Sequence, residues 1–184
     1  MVDLADLAAR TSVVPGRSCG SCTMCCKLYD VPEVQSLAGK WCRHCAPGRG
    51  CAIHATRPDT CRKFFCGWMV SADLGPEWKP DRAKLIIRLI PAEGDRLCVA
   101  VDVDEGLASA WQRPDIYAKL KRIAAYSAGV VVRVSIGRRR IVVLPDRDVD
   151  VGIVGDDEEV EVTGNGALAE VRKVKRRAVD AAGH

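Results

Sequence analysis

Residues 83–91 (AKLIIRLIP) and 96–103 (RLCVAVDV) decide the fold class, together with VVVRVSI at 130–136 and IVVL at 141–144. All four stretches are rich in the aliphatic and β-branched residues that favour strands. The turn-forming residues Ala92-Glu93-Gly94-Asp95 separate the first two stretches, and Gly137-Arg138 separates the other two. The sequence therefore predicts two β-hairpins.

A helix is predicted between the two hairpins, beginning near Asp115 with Pro114 at its start and ending at Gly129. Its apolar residues recur at helical spacing: Ile116, Leu120, Ile123 and Ala124. The order strand, strand, helix, strand, strand is most simply satisfied by a sheet with a helix on one face. We expect an α+β fold with a ββαββ-type region.

Composition changes near residue 75, because nine of the ten cysteines precede it and the long β-branched runs follow it. The turn-forming stretch Asp73-Leu74-Gly75-Pro76 suggests a boundary there. We expect a cysteine-rich, metal-stabilised module at 1–75 and an α+β region at 76–184 with a charged C-terminal tail. Acidic residues in 146–161, a turn at 164–166 and a basic end predict a solvated hairpin and a frayed helix, with an interaction tail as the alternative.

The chain begins MVDLADLAAR, which does not resemble an export signal, and no apolar run reaches the roughly 18 residues of a membrane span. A cytoplasmic location without membrane attachment is expected. Disulfides are rare in that reducing compartment, so clustered cysteines there usually bind metal or react. A secreted disulfide scaffold is the alternative that the even cysteine count would suit.

The cysteines form a dense cluster in residues 19–66, and its members are Cys19, Cys22, Cys25, Cys26, Cys42, Cys45, Cys51, Cys61 and Cys66. Two-residue spacings, which let neighbouring thiolates bind one ion, occur three times. Since a structural zinc takes four ligands, nine cysteines with His54 and His44 can fill two closed sites. The sequence predicts more than one zinc ion, with an iron–sulfur cluster or iron as the alternative.

Two local features refine this prediction. Pro58 can occupy the first turn of a short helix capped by Thr56 or Arg57, which would place Cys61 near the positive helix end and favour its thiolate. Cys25 and Cys26 are adjacent and cannot point the same way on a helix, so they are expected to face different metals, or one is free. Without metal, residues 15–70 are expected to be largely unfolded.

Two motifs are similar to those of the CxxCxxCC cysteine-cluster family, described as a zinc- or iron-chelating domain, which includes flagellin lysine N-methylase. They are Cys19-Gly-Ser-Cys22-Thr-Met-Cys25-Cys26 and Cys51-Ala-Ile-His54-Ala-Thr-Arg57-Pro58-Asp-Thr-Cys61-Arg62-Lys-Phe64-Phe-Cys66. The resemblance covers about 17–68 and implies that these cysteines chelate metal. Methylase activity is not carried over, because no strand, glycine-rich loop and helix offer a place for a methyl donor.

Four functions compete at this point. The first hypothesis is a metal-binding protein whose metal is mainly structural, and which has room for a protein partner. The second is an iron–sulfur protein with a redox or catalytic role. The third is metal trafficking or sensing, which the surplus thiols favour. Nucleic-acid binding is not expected, because Phe64 and Phe65 are the only phenylalanines and no stacking platform is apparent. Cys98, isolated in a strand, is expected to be a buried apolar residue.

Overall fold

The computed structural model describes residues 12–92, 96–126 and 129–176. The fold is α+β, as predicted, with a cysteine-rich N-terminal region followed by a mixed sheet. The α-helices are α1 (Cys25–Leu28), α2 (Asp59–Lys63), α3 (Gly67–Val70), α4 (Pro80–Ala83) and α5 (Pro114–Tyr126). The strands are β1 (Cys45–Ala46), β2 (Gly50–Cys51), β3 (Leu85–Pro91), β4 (Leu97–Val103), β5 (Val130–Ile136), β6 (Arg139–Val143), β7 (Asp148–Ile153), β8 (Glu158–Thr163) and β9 (Glu170–Lys175).

The main sheet has the strand order β3-β4-β5-β6-β7. Its pairs are antiparallel except for β4 and β5, which are parallel and are joined through α5. Both predicted hairpins are confirmed, β3 with β4 and β5 with β6, although residues 93–95 of the first turn lie outside the described part of the chain. β7 extends the sheet, and β8 pairs with β9 in a separate hairpin.

One face of the sheet packs against α5, which follows from the alternation of side chains along each strand. Leu85, Val99, Val132 and Val143 point to this face and belong to one buried cluster. α5 contributes its apolar stripe to the same cluster: Ile116, Leu120 and Ile123. Trp78 and Trp111 are also buried there.

The opposite face of the sheet is shared by two elements. Ile86 of β3 packs against Met24, Cys66, Met69 and Val70 of the cysteine-rich region. At the other side, Val142 of β6 is buried against residues of the β8–β9 hairpin, among them Val162. The cysteine-rich region therefore rests directly on the sheet over β3.

The expected frayed helix at the C-terminal end is wrong as far as residue 175. Residues 170–175 form β9, an extended strand whose side chains alternate between half-buried and exposed. Val171 packs beneath the hairpin while Arg172 and Lys173 face solvent. The part of the basic end from residue 177 onward lies outside the described residues. Among the described segments, no helix has both the length and the apolar character needed to cross a membrane.

Candidate metal centre

The nine clustered cysteines come from short elements that fold back on one another. Cys19 and Cys22 lie in the turn before α1, where the Cys22 N–H donates to the Cys19 carbonyl at 2.8 Å. Gly50 at the start of β2 has φ +116° and approaches this turn so closely that an added Cβ would lie 3.1 Å from the Gly20 carbonyl oxygen. A side chain at Gly50 would therefore push the β1–β2 hairpin away from the turn.

Four thiols gather beside the buried side chain of Met24, and we call them the inner thiol group: Cys19, Cys22, Cys25 and Cys66. Cys66 immediately precedes α3 and is 8% exposed. The inner thiol group lines a cavity of about 80 Å³ that reaches Ile86 of the sheet, and Cys26, Cys51 and Cys61 border the same cavity. The first motif and the last cysteine of the second motif are thereby brought together.

We call the remaining five clustered cysteines the outer thiol group: Cys26, Cys42, Cys45, Cys51 and Cys61. Cys45 and Cys51 are direct partners in the β1–β2 pairing. The Cys42 N–H donates to the Cys26 carbonyl at 2.9 Å, which fixes this loop against α1. A second cavity, of about 120 Å³, is lined by Cys26, Cys42, Cys51 and Cys61.

Cys25 and Cys26 lie where the two groups meet, since both residues border both cavities. Cys25 packs with the inner thiol group, whereas the thiol of Cys26 approaches Cys45. The two thiols also contact each other, and the hydrogen bond with Cys25, followed by burial, raises the pKa of Cys26 strongly. That the two residues bind different metals stays a prediction.

Electrostatics in both groups disfavours thiolates in the absence of a cation. Burial, opposed by the Met69 N–H and reinforced by Cys22, raises the pKa of Cys66 to about 11. Burial and the neighbouring Cys26 raise the pKa of Cys45 to about 11. A bound cation would reverse this by stabilising the thiolate form.

The helix position of Cys61 and the pKa of its thiol both differ from what the sequence predicted. It lies in α2, but the N-cap of that helix is Pro58, with no side-chain cap, so the predicted caps Thr56 and Arg57 are wrong. Burial and the nearby thiols of Cys26 and Cys51 raise the pKa of Cys61. The partial charge of a five-residue helix does not offset these effects, and the predicted preference for a thiolate is wrong for the metal-free chain.

The histidines differ in their surroundings. His54 is exposed, and its Nε2 contacts the guanidinium of Arg57 rather than a thiol. His44 is half-buried and lines the cavity of the outer thiol group. His54 nevertheless borders the cavity beside the inner thiol group, so each histidine lies next to one of the two cavities.

All ten cysteines lie in the described residues and are free. Within those residues, no three cysteine, histidine or carboxylate side chains already stand in the arrangement of a metal site. The donor set nevertheless fits zinc by its chemistry, because five cysteines border one small, mostly apolar cavity and seven border the other. Rotation of side chains would have to bring each set onto one point.

Three residues outside the cysteine motifs connect α1 to the sheet. The hydroxyl of Tyr29 donates to Asp102 at 2.7 Å, and Arg88 donates to the same carboxylate at 2.7 Å. The Arg88 guanidinium also lies 4.7 Å from the centre of the Tyr29 ring. Sequence reasoning missed this network, because Tyr29 is 73 residues from Asp102 and no local pattern links them.

Asp81 of α4 was also missed. Its carboxylate acts on Cys22 strongly enough to help burial raise the pKa of that thiol. One carboxylate oxygen pairs with Lys79 at 3.1 Å, while Oδ1 is buried without a hydrogen-bond partner in the described chain. A carboxylate in this position makes the inner thiol group more negative and so favours a bound cation there.

Arg17 connects the segment before Cys19 to the segment after Cys66. Its guanidinium donates to the carbonyls of Trp68, Ser71 (2.7 Å) and Leu74 (2.8 Å), which follow Cys66. It also lies 4.9 Å from the centre of the Trp68 ring. Because Arg17 is two residues before Cys19, these bonds hold the first motif against α3.

Comparison of the chain with protein-family models, with curated proteins and with solved structures gave no match. The resemblance to the CxxCxxCC family therefore depends on the two motifs alone and stays a prediction.

Proposed function

We propose that this chain is a metal-binding protein whose nine clustered cysteines hold two zinc ions of mainly structural role. The inner thiol group would supply Cys19, Cys22, Cys25 and Cys66 to one ion. The outer thiol group would supply four ligands from Cys26, Cys42, Cys45, Cys51 and Cys61 to the other, with His44 adjacent. A cytoplasmic location, where thiols remain reduced, belongs to the proposal.

The observation that carries the proposal is the gathering of thiols from separate short elements around two small adjoining cavities. Cys19, Cys22, Cys25 and Cys66 belong to the apolar cluster around Met24, and Cys26, Cys42, Cys51 and Cys61 line the second cavity. Four thiolates complete a closed structural zinc site, which leaves no position open for a substrate. Both sets are half-buried against apolar side chains, where an uncompensated thiolate would be costly. A divalent ion would remove that cost.

A structural role follows from the shortness of the elements in this region. α1 has four residues, α2 has five, and β1 and β2 have two each. Such elements are not stable alone. Zinc at sites of this kind contributes roughly 10–16 kcal/mol of apparent binding free energy at neutral pH. When bound, the ions would link α1, the β1–β2 hairpin, α2 and the start of α3.

The proposal predicts a specific pattern of ligand loss. Cys22→Ser should remove the inner ion and Cys61→Ser the outer one, so each variant should carry about one zinc fewer than the parent chain in native mass spectrometry. Cobalt substitution gives a second measurement, because each remaining ion would keep a tetrahedral thiolate spectrum.

Cys98→Ser is the matched control, since Cys98 is buried in β4 away from both groups and should leave the metal content unchanged. Full zinc loading in both Cys22→Ser and Cys61→Ser would refute the assignment. Loss of both ions from either single variant would refute the division into two sites. Iron and acid-labile sulfide in the parent protein would favour the iron–sulfur alternative instead.

A further inference from the structure

A large cavity of about 820 Å³ lies on the face of the sheet opposite α5, at the β8–β9 hairpin. Its floor includes Cys98 of β4, Val131 and Arg133 of β5, and Arg140 and Val142 of β6. The volume falls in the range of small-molecule sites. Neither thiol group contributes to its lining, so this cavity is separate from the proposed metal sites.

Five arginines line this cavity, and strand register brings two of them together. Arg133 pairs across the sheet with Val142 and Ala100, and Arg140 pairs with Ser135, so the two arginines are diagonal neighbours on one face. The other three lie just outside the ends of strands. We call the whole set the arginine groove: Arg96, Arg133, Arg138, Arg140 and Arg176.

Arg133 is the centre of the groove and lacks a compensating partner. Its Nε is buried and has no hydrogen-bond partner among the described residues. Ala100, the residue beside it on β4, is completely buried and too small to supply one. An unsatisfied buried donor of this kind costs free energy that an acceptor would recover.

The other arginines increase the positive potential. Burial lowers the pKa of Arg140, and the charge of Arg133 lowers it further. Arg140 donates to the backbone carbonyls of Gly137 and Arg139, which holds it in place, while the carboxylate of Asp102 raises the pKa of Arg140 and offsets part of this lowering. Arg138 donates to the Val154 carbonyl, and its ion pair within the described residues is with Asp156, which is almost fully exposed.

The facing wall, from β8, is acidic. Glu158 is held by the Gly155 N–H and by Lys173, and Glu159 and Glu161 also line the cavity. In the described part of the chain, none of these carboxylates forms an ion pair with Arg133 or Arg140. Arg133 and Arg140 therefore keep guanidinium charge that can meet an anion.

We propose that the arginine groove binds a phosphate group through Arg133 and Arg140. Guanidinium groups match phosphate oxygens bidentately, and burial strengthens such charge-assisted bonds. The cavity has room beyond the phosphate, so both inorganic phosphate and a small phosphate monoester satisfy this chemistry.

The test uses the full metal-loaded chain and follows the arginine Nε–Hε signals by NMR, at constant ionic strength, during titration with inorganic phosphate and separately with glucose 6-phosphate. We expect the Arg133 signal, identified by its absence from the Arg133→Gln spectrum, to shift and saturate. Tighter binding of glucose 6-phosphate would identify an ester as the preferred source; tighter binding of inorganic phosphate would identify the free anion. Both outcomes support the proposal.

Calorimetry then compares the variants. Arg133→Gln and Arg140→Gln should each weaken binding about tenfold or more, because each removes a charge-assisted bond. Arg172→Gln is the matched control, since Arg172 is exposed on β9 outside the cavity and should bind like the parent chain. Circular dichroism confirms folding of each variant. Shifts equal to those produced by sodium chloride, or unchanged affinity in both folded groove variants, would overturn the proposal.

Discussion

Arg17 should stabilise the whole cysteine-rich region, although it is not a metal ligand. It donates to the backbone carbonyls of Trp68, Ser71 and Leu74 and packs over the Trp68 ring. Trp68 lies in α3 and the other two residues follow it, and the last carbonyls of such a four-residue helix have no helical partner. Arg17→Gln would keep a polar side chain but remove the charge and most of these bonds.

The expected loss can be worked from these contacts. The Ser71 and Leu74 bonds are well formed and half-buried, and we assign each about 1 kcal/mol, the net value of an ordinary protein hydrogen bond. The contact with Trp68 adds about 0.5–1 kcal/mol. The sum is about 3 kcal/mol, which corresponds to a midpoint lower by roughly 6–12 °C for a chain of this size.

This change is measured by unfolding the metal-loaded protein in urea while tryptophan fluorescence is recorded. The dependence of the unfolding free energy on urea concentration should be the same in the variant and the parent, so that their midpoints can be compared. Arg172→Gln is the control, because its partner Glu170 and Arg172 itself are both exposed, and such pairs contribute less than about 1 kcal/mol. A loss in Arg17→Gln no larger than that of the control would refute the reasoning.

Three further predictions concern the sheet and the metal. Burial raises the pKa of Asp104, but bonds from Lys27 (2.6 Å) and the Gly106 N–H outweigh it, so the pKa lies below its ordinary value. Asp104→Asn should therefore lower the free energy of unfolding by about 1–2 kcal/mol at neutral pH. This loss relative to the parent should vanish as pH falls through the lowered pKa, because the parent carboxylate is then protonated. A loss that stays constant in urea titrations across pH would contradict this. Cys98→Ser should cost about 1–3 kcal/mol in urea unfolding by placing a hydroxyl in a site only 3% exposed; an unchanged midpoint would show the site to be wet. Chelation of metal should accelerate amide exchange across residues 15–70 while β3–β6 stay protected, and equal protection with and without metal would argue against a structural role.

The strands of the main sheet could be predicted from the sequence because their patterns are long and rich in β-branched residues. The predicted 96–103 and 130–136 differ from β4 and β5 by at most one residue at either end. β7 was missed as a strand, although Asp148-Val149-Asp150-Val151 alternates in the manner of an edge strand. Its aspartates pair with Lys121 and Arg139 and are not simply solvated.

The grouping of the thiols could not be predicted from spacing. Cys66 joins Cys19 and Cys22 because α3 packs on Met24 and Ile86, and this packing depends on residues far apart in the chain. His54 and His44 illustrate the same point, since their relation to the thiols is set by the contact with Arg57 and by the β1–β2 hairpin. The arginine groove likewise exists only through strand register.

The most direct measurement is metal and acid-labile sulfide content, with the visible spectrum, on protein purified without oxygen. The account predicts colourless protein with about two zinc ions per chain and no sulfide. Brown protein containing iron and sulfide, or folded protein with no metal, would contradict it.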